Sequence, residues 1–283
     1  MTSSSGIPIP TLSLFPALDR QLIDLLKSLT FQEWEAPTIA PLWRVKDIAA
    51  HLLDGNLRTL SMLRDAYAGD PPEDIRSYQD LVTYLNGLNT VWVAAAKRLS
   101  PQVLIELLEL TGKQYHEYLS TLDPFAKAAF SVAWAGETES LNWFHIAREY
   151  TEKWHHQQQI REATGRPGLL SRAFFYPFIA TFMRGLPYTY RDTKAENGTC
   201  VKFTVSTEAG GDWYLLREDG QWKLAETHSG TLSASLSIDP DTAWKLFTKG
   251  ISPELARPKV SIKGDVKLAE VSLEMIAVMG VRG

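Results

Sequence analysis

The feature that most constrains the fold is a change of hydrophobic period at Gly165-Arg166-Pro167-Gly168. Before this cluster apolar residues recur at helical spacing and no convincing strand pattern occurs; after it several short stretches alternate apolar and polar residues. A period near 3.6 gives a helix one buried stripe, whereas a period of two buries one face of a strand. The two parts therefore need different layers. The expected fold class is α plus α+β: an antiparallel helical bundle over residues 1–168, then a small α+β domain over residues 169–283. A chain of 283 residues suits two domains better than one.

In the first part, Pro16 to Leu29 sets Leu18, Leu22, Leu25, Leu26 and Leu29 at helical spacing. Thr30 to Leu42, framed by Pro37 and Pro41, reads as a loop, with Trp34 and Trp43 covering one end of the bundle. A helix from Trp43 to about Ala68 is apolar around more than half its circumference, so it should be buried. Gly69-Asp70-Pro71-Pro72 ends it, since two prolines cannot continue the hydrogen-bond ladder. A third helix is predicted from about Tyr78 to Leu99. Ser100-Pro101 and Asp123-Pro124 each read as an N-cap with proline at the first helical position, the first opening a helix to about Leu122 and the second a short one. Trp134 to Glu137 should turn into a last bundle helix spanning about Leu141 to Thr164.

Beyond the cluster, Phe174 to Leu186 reads as an aromatic-rich helix, and Val201, Phe203 and Val205 as the buried face of a strand. Trp213 to Leu216 and Trp222 to Ala225 resemble a hairpin turning at Glu218-Asp219-Gly220. Leu232 to Ile238, interleaved with Ser233, Ser235 and Ser237, predicts a strand with one wet face. Asp239-Pro240 caps a helix from Asp241 to Lys249, Val260 to Lys263 offers a final strand, and Leu268 to Met279 a closing helix. No internal repeat, phosphate-cradling glycine loop or nucleophile elbow occurs.

A net charge of -4 and the lack of any basic run argue against partners such as nucleic acid or an anionic membrane. Met1 to Ile9 lacks the pattern of a signal peptide, and no stretch approaches the ~18 apolar residues of a membrane span. The expectation is a soluble, cytoplasmic protein. The single cysteine, Cys200, rules out an internal disulfide framework and a thiolate-rich metal site, and its strand pattern makes it a core residue. Thiol chemistry, if any, would draw on Cys200 or on a small-molecule thiol.

Chemistry-bearing residues concentrate between Arg148 and Arg161. Glu152 and His156, four positions apart on a helix, leave the same face one turn above the other. Carboxylate oxygen and imidazole nitrogen are both zinc ligands, and a third ligand from a neighbouring helix would complete an open site. His51, between Ile48 and Leu52 with Gly55 one turn on, is the candidate. Packed helices have axes roughly 8–10 Å apart, a gap these side chains can close.

Spacing alone favours a plainer outcome. His145, Glu149, Glu152, His156 and Gln159 form one polar stripe opposite Ile146, Tyr150 and Trp154, and such stripes normally face water. Taken alone, His51 reads as a hydrogen-bonded core histidine. His155, turned about 100° from His156, should pack or bond elsewhere. Glu149 shares the stripe and is assigned a supporting role, orienting a histidine or a bound water. Trp134 reads as a packing residue and Arg148 as a solvated one.

Trp43-Arg44-Val45-Lys46-Asp47-Ile48-Ala49-Ala50-His51-Leu52, with the stretch from Glu152-Lys153-Trp154-His155-His156 to Ala163-Thr164-Gly165, resembles the metal-binding signature of the mycothiol-dependent maleylpyruvate isomerase family, within the DinB-like superfamily of four-helix bundles. The resemblance covers roughly residues 10 to 168 and implies a divalent metal, usually zinc, held by His51, Glu152 and His156. Glutamate at position 152 matches the isomerase branch, where many DinB-like proteins have histidine. Ser-Ile-Asp-Pro at 237–240 and Val-Ser-Ile-Lys-Gly-Asp at 260–265 resemble the sterol-carrier-like domain appended in this family.

Two histidines and one carboxylate would leave a coordination position open, the catalytic arrangement. Such a ligand set suits zinc first, with nickel or non-haem iron as alternatives. The resemblance implies that a low-molecular-weight thiol, mycothiol or an equivalent, fills the open position. The expected function is a metal-dependent, thiol-using isomerase or S-transferase acting on a small electrophilic substrate. The alternatives are a hydrolase with a metal-bound water and a non-enzymatic carrier of an apolar ligand.

Overall fold

The structure, a computed structural model, describes residues 6–69, 71–72 and 74–279. It resolves into two compact units, Met1–Phe130 with Ser140–Leu169, and Ser131–Glu139 with Leu170–Gly283. The segment 131–139, expected in the first domain, thus clusters with the second.

The first unit is built from the helices α1 (Phe15–Lys27), α2 (Phe31–Trp34), α3 (Val45–Thr59), α4 (Tyr78–Ala96), α5 (Pro101–Leu119) and α6 (Asn142–Ala163). Helix α3 packs against α4, α5 and α6, and α1 against α5 and α6. Leucines of α1 meet Val45, Ile48, Leu53, Leu104, Ile105 and Ile160 in one core. Burial of this apolar surface is the main force holding the bundle together.

The ends of these helices follow from their sequences. Arg44 N–H donates to Asp47 Oδ2 at 3.0 Å, so a carboxylate in the first turn of α3 satisfies a backbone donor and faces the positive end of the helix dipole. Helix α6 begins at Leu141 without a side-chain cap; instead Asn142 N–H and Trp143 N–H each donate at 2.9 Å, to the carbonyls of Ala126 and Pro124. It ends in a Schellman motif. Gly165 has φ +63°, and N–H groups of Arg166 and Gly165 donate to the carbonyls of Arg161 and Glu162.

Several expectations in this unit need correction. Thr30 to Leu42 contains the one-turn helix α2, because Thr30 and Glu33 form a reciprocal capping box. The helix expected to run to Ala68 is α-helical only to Thr59 and continues as a π-turn from Leu60 to Arg64, where Asp65 N–H reaches back to Leu60 O. Asp123-Pro124 starts no helix. The Asp123 carboxylate accepts from Phe125 N–H at 2.9 Å, closing a local turn.

The second unit carries α7 (Arg172–Met183) and α8 (Leu186–Thr189), then β1 (Cys200–Val205), β2 (Gly211–Glu218), β3 (Gln221–Ala225) and β4 (Ala234–Ile238). There follow α9 (Pro240–Phe247), α10 (Pro253–Ala256), β5 (Ser261–Gly264) and α11 (Val266–Glu270). The mixed sheet has the order β3-β2-β1-β4-β5, with β1 and β4 parallel and the other neighbours antiparallel. Asp219 and Gly220 both have positive φ, +51° and +73°, which is why the β2–β3 hairpin closes in two residues.

Ala234, Leu236 and Ile238 are buried while Ser235 and Ser237 are half-exposed, the alternation expected of β4, although the strand starts two residues later than Leu232. The buried Phe203 of β1 meets the buried Phe247 of α9 at a ring distance of 5.9 Å. Cys200 is buried, and burial raises the pKa of its thiol, so it is a core residue. The closing helix expected to reach Met279 ends instead at Glu270 and tightens to a 3₁₀ turn over Val271–Glu274. No helix among the described residues is long and apolar enough to cross a membrane.

Candidate metal centre

Helix α6 overturns the solvated-stripe expectation. His145, His155, His156, Gln157, Gln158 and Gln159 are all buried, as is Lys153, and Glu152 is half-buried. A helix enclosed by neighbours must find partners for its polar side chains within the bundle, and most of these do, although neither amide atom of Gln157 has one.

His51 of α3, Glu152 and His156 form the one set of three potential ligands found among the described residues, with ligand atoms all within 4.8 Å of one another. The imidazoles of His51 and His156 meet edge-on at 4.6 Å, and His156 Nε2 lies 3.5 Å from Glu152 Oε2. Gly55 leaves open space one turn beyond His51. Trp92 of α4 donates its indole N–H to Ala50 O at 2.7 Å, pinning the backbone beside His51.

Two residues not assigned a role from sequence complete the site. Gln159 Oε1 accepts from His156 Nδ1–H at 2.9 Å, so Nε2 is the nitrogen turned toward Glu152. Trp43 lies over both imidazoles, 4.7 Å from His51 and 5.8 Å from His156. Gln159 was visible as part of the polar stripe; Trp43 had been assigned only to an end of the bundle.

The electrostatics favour a cation. Burial, reinforced by the positive charge His156 can carry, holds the His51 pKa well below the usual histidine value, so the ring is neutral near pH 7. Burial alone would raise the Glu152 pKa, but hydrogen bonding to His156 and the charges of His155, His156 and His51 outweigh it and keep the carboxyl ionised. His51 Nδ1 is buried without a hydrogen-bond partner. The site thus gathers a partnerless imidazole nitrogen, a second imidazole and an ionised carboxylate. Such a donor set fits a divalent ion.

The remaining residues lie elsewhere. His155 Nδ1–H donates to Thr151 O at 2.9 Å. Glu149 bonds to Tyr115 and Arg148 and lies 4.0 Å from His145, so it addresses a histidine outside the triad. Arg148, expected in solvent, is only 15% exposed because Glu149 and His145 engage it. Trp134 is buried edge-on against Phe182 in the second unit.

A family model described as the mycothiol maleylpyruvate isomerase N-terminal domain matches residues 15–161, more than half of the chain. The chain belongs to that family. Its matched region contains all three residues of the triad. Among solved structures, it is similar to crystal structures of the mycothiol-dependent maleylpyruvate isomerase and of a histidine-to-alanine mutant of that enzyme. Each superposes with a TM-score of 0.52 at 11% identity, covering 90% of this chain and 92% of the other. At that identity the likeness is one of fold. A comparison with curated protein sequences gives no match.

Proposed function

We propose that the protein is a metal-dependent enzyme that uses a low-molecular-weight thiol, mycothiol or an equivalent, to isomerise a small electrophilic substrate or transfer sulfur to it. The observation that carries this reading is the convergence of His51, Glu152 and His156 with ligand atoms inside 4.8 Å. Zinc is the expected ion, and when bound it supplies a Lewis acid able to hold a thiol as its thiolate. Addition of a thiolate to an activated double bond leaves a single bond free to rotate, and elimination then returns the thiolate with the opposite geometry.

The chain's own residues set the conditions. Glu152 contributes the negative charge that offsets part of an ion's charge, while Gln159 fixes which nitrogen His156 presents. Trp43 covers the imidazoles and limits water around them. A cytoplasmic setting, where small thiols stay reduced, agrees with this use of thiol.

The test pairs elemental analysis with turnover. Gently purified protein should carry about one divalent ion per chain, and a maleyl-type substrate should react only with both metal and thiol present. Protein that neither contains nor takes up zinc, nickel or iron, or metal-dependent ester cleavage that ignores thiol, would reject the proposal.

A further inference from the structure

One ammonium group ties four helices of the first unit together. Lys153 Nζ of α6 donates to Asp19 Oδ1 of α1 at 3.1 Å and to Asn56 Oδ1 of α3 at 2.9 Å, and it lies 4.8 Å from the ring centre of Tyr115 of α5. Asn56 extends the link, its amide N–H donating to Thr111 Oγ1 of α5 at 3.0 Å. Lys153, Asn56 and Thr111 are all buried. Room for the Asp19 carboxylate is made by Gly112 of α5, where a Cβ would come within 2.9 Å of Asp19 Oδ2.

Stability alone does not account for such a cluster. Withdrawing an ammonium and a carboxylate from water costs about what their attraction returns, and well-packed apolar residues in their place are often as stable or more so. What an apolar core lacks is direction, because burial of apolar surface does not depend on exact alignment. A hydrogen bond does, holding its partners to about 2.7–3.2 Å. The same two helices carry the triad: Asn56 follows His51 by five residues on α3, and Lys153 lies between Glu152 and His156 on α6. A slip of α6 by one residue would carry its two ligands about 1.5 Å along the axis and about 100° around it, away from His51. A metal constellation must be held to about 0.5 Å.

We infer that Lys153 is a positioning residue for the metal centre, its ammonium fixing α6 against α3 in the register at which Glu152 and His156 meet His51. Its hydrogen bonds go to Asp19 and Asn56, so it acts on the ligands through the helices that carry them. That role rests on the proposed metal site.

The test compares the full wild-type chain with a double variant, Lys153→Met with Asp19→Asn, which removes both charges together and keeps side chains of similar length. Zinc affinity is read by chelator competition, ligand geometry by the visible spectrum of the cobalt(II)-loaded protein, and stability by the thermal midpoint of the metal-free protein. The double variant should keep a midpoint within a few degrees of wild type, bind zinc about 10–100-fold more weakly, and show a cobalt spectrum changed in band position or intensity. Leu26→Ala, which removes apolar contacts from the core, should do the reverse, lowering the midpoint while keeping wild-type zinc affinity and cobalt spectrum. Should the double variant fail to fold, Asn56→Leu, which cuts the link to α3 and leaves Lys153 with Asp19, must show the same zinc and cobalt changes in its place. Wild-type zinc affinity and an unchanged cobalt spectrum in a folded double variant, or an equal loss of affinity in Leu26→Ala, would overturn the positioning role and leave the metal site standing. A wild-type chain that takes up neither zinc nor cobalt would reject the metal reading and the positioning role with it.

Discussion

His156 uses its two nitrogens for different ends, with Nδ1 committed to Gln159 and Nε2 turned to Glu152. Its neighbour His155 bonds a backbone carbonyl of its own helix. His156→Ala should therefore abolish metal binding and thiol-dependent turnover, whereas His155→Ala retains the metal; equal metal loss in both would remove His156 from the site. Gln159→Leu keeps every ligand but frees the His156 ring, and a chelator competition should show metal affinity lower by about 10–100-fold. The buried histidines also set an acid limit. His145 has a folded pKa near 4 against about 6.5 for an unfolded histidine, so below pH 6.5 the unfolded chain gains a proton that the folded chain refuses. Stability should be level above pH 6.5 and fall as pH drops toward 4, by roughly 3 kcal/mol from His145, with His51 acting in the same direction. Denaturation midpoints of metal-free protein across that range would check it, and a flat profile, or an unchanged slope in His145→Phe, would refute the assignment.

Among the elements, α6 shows where sequence reading succeeds and where it stops. Helical spacing correctly indicated that Glu152 and His156 share a face, because that depends only on backbone geometry. Spacing could not reveal that the face is buried, since burial is decided by α1, α3 and α5 closing around it. Lys153 shows the same gap: it looks like a surface lysine, yet it reaches Asp19 Oδ1 of α1 at 3.1 Å and Asn56 Oδ1 of α3 at 2.9 Å. Asp123-Pro124 failed for another reason, as one aspartate can cap a helix or close a turn, and its hydrogen bond to Phe125 takes the second course. The period-two strands and the Asp219-Gly220 hairpin were legible because their signals are local. The Lys153 tie yields a stability test. Asp19→Ala leaves a lysine that is only 8% exposed without its carboxylate, and should cost about 3 kcal/mol, nearer the lower end for buried pairs because Asp19 itself is 20% exposed. Lys27→Ala, breaking a pair that is 50% and 59% exposed, should cost under about 1 kcal/mol. Urea unfolding of both variants would separate the cases, and equal costs would mean that the buried tie does not stabilise the bundle.

At the scale of the whole chain, the compact units divide after Leu169, next to the expected boundary at residue 168, while residues 131–139 cluster with the second unit. The three triad residues all lie in the first unit, so its helices alone contain the proposed ligands. Trp134, in the reassigned segment, is 4% exposed and packs edge-on against Phe182 at 5.9 Å, while a Cβ on Gly185 would come within 3.2 Å of its ring. A fragment of residues 1–168 removes Phe182 and Gly185 and leaves that indole without them. Exposed aromatic surface of this kind promotes association. The fragment should therefore keep helical circular dichroism and take up zinc, yet bind a hydrophobic dye and scatter light at concentrations where the full chain does not. Trp134→Gln should reduce both signals in the fragment, because it removes the apolar surface without touching the triad. A fragment as monomeric as the full chain, or aggregation undiminished by Trp134→Gln, would show that the 131–139 segment does not need the second unit; loss of zinc uptake by a folded fragment would show that the first unit's helices do not suffice for the metal centre.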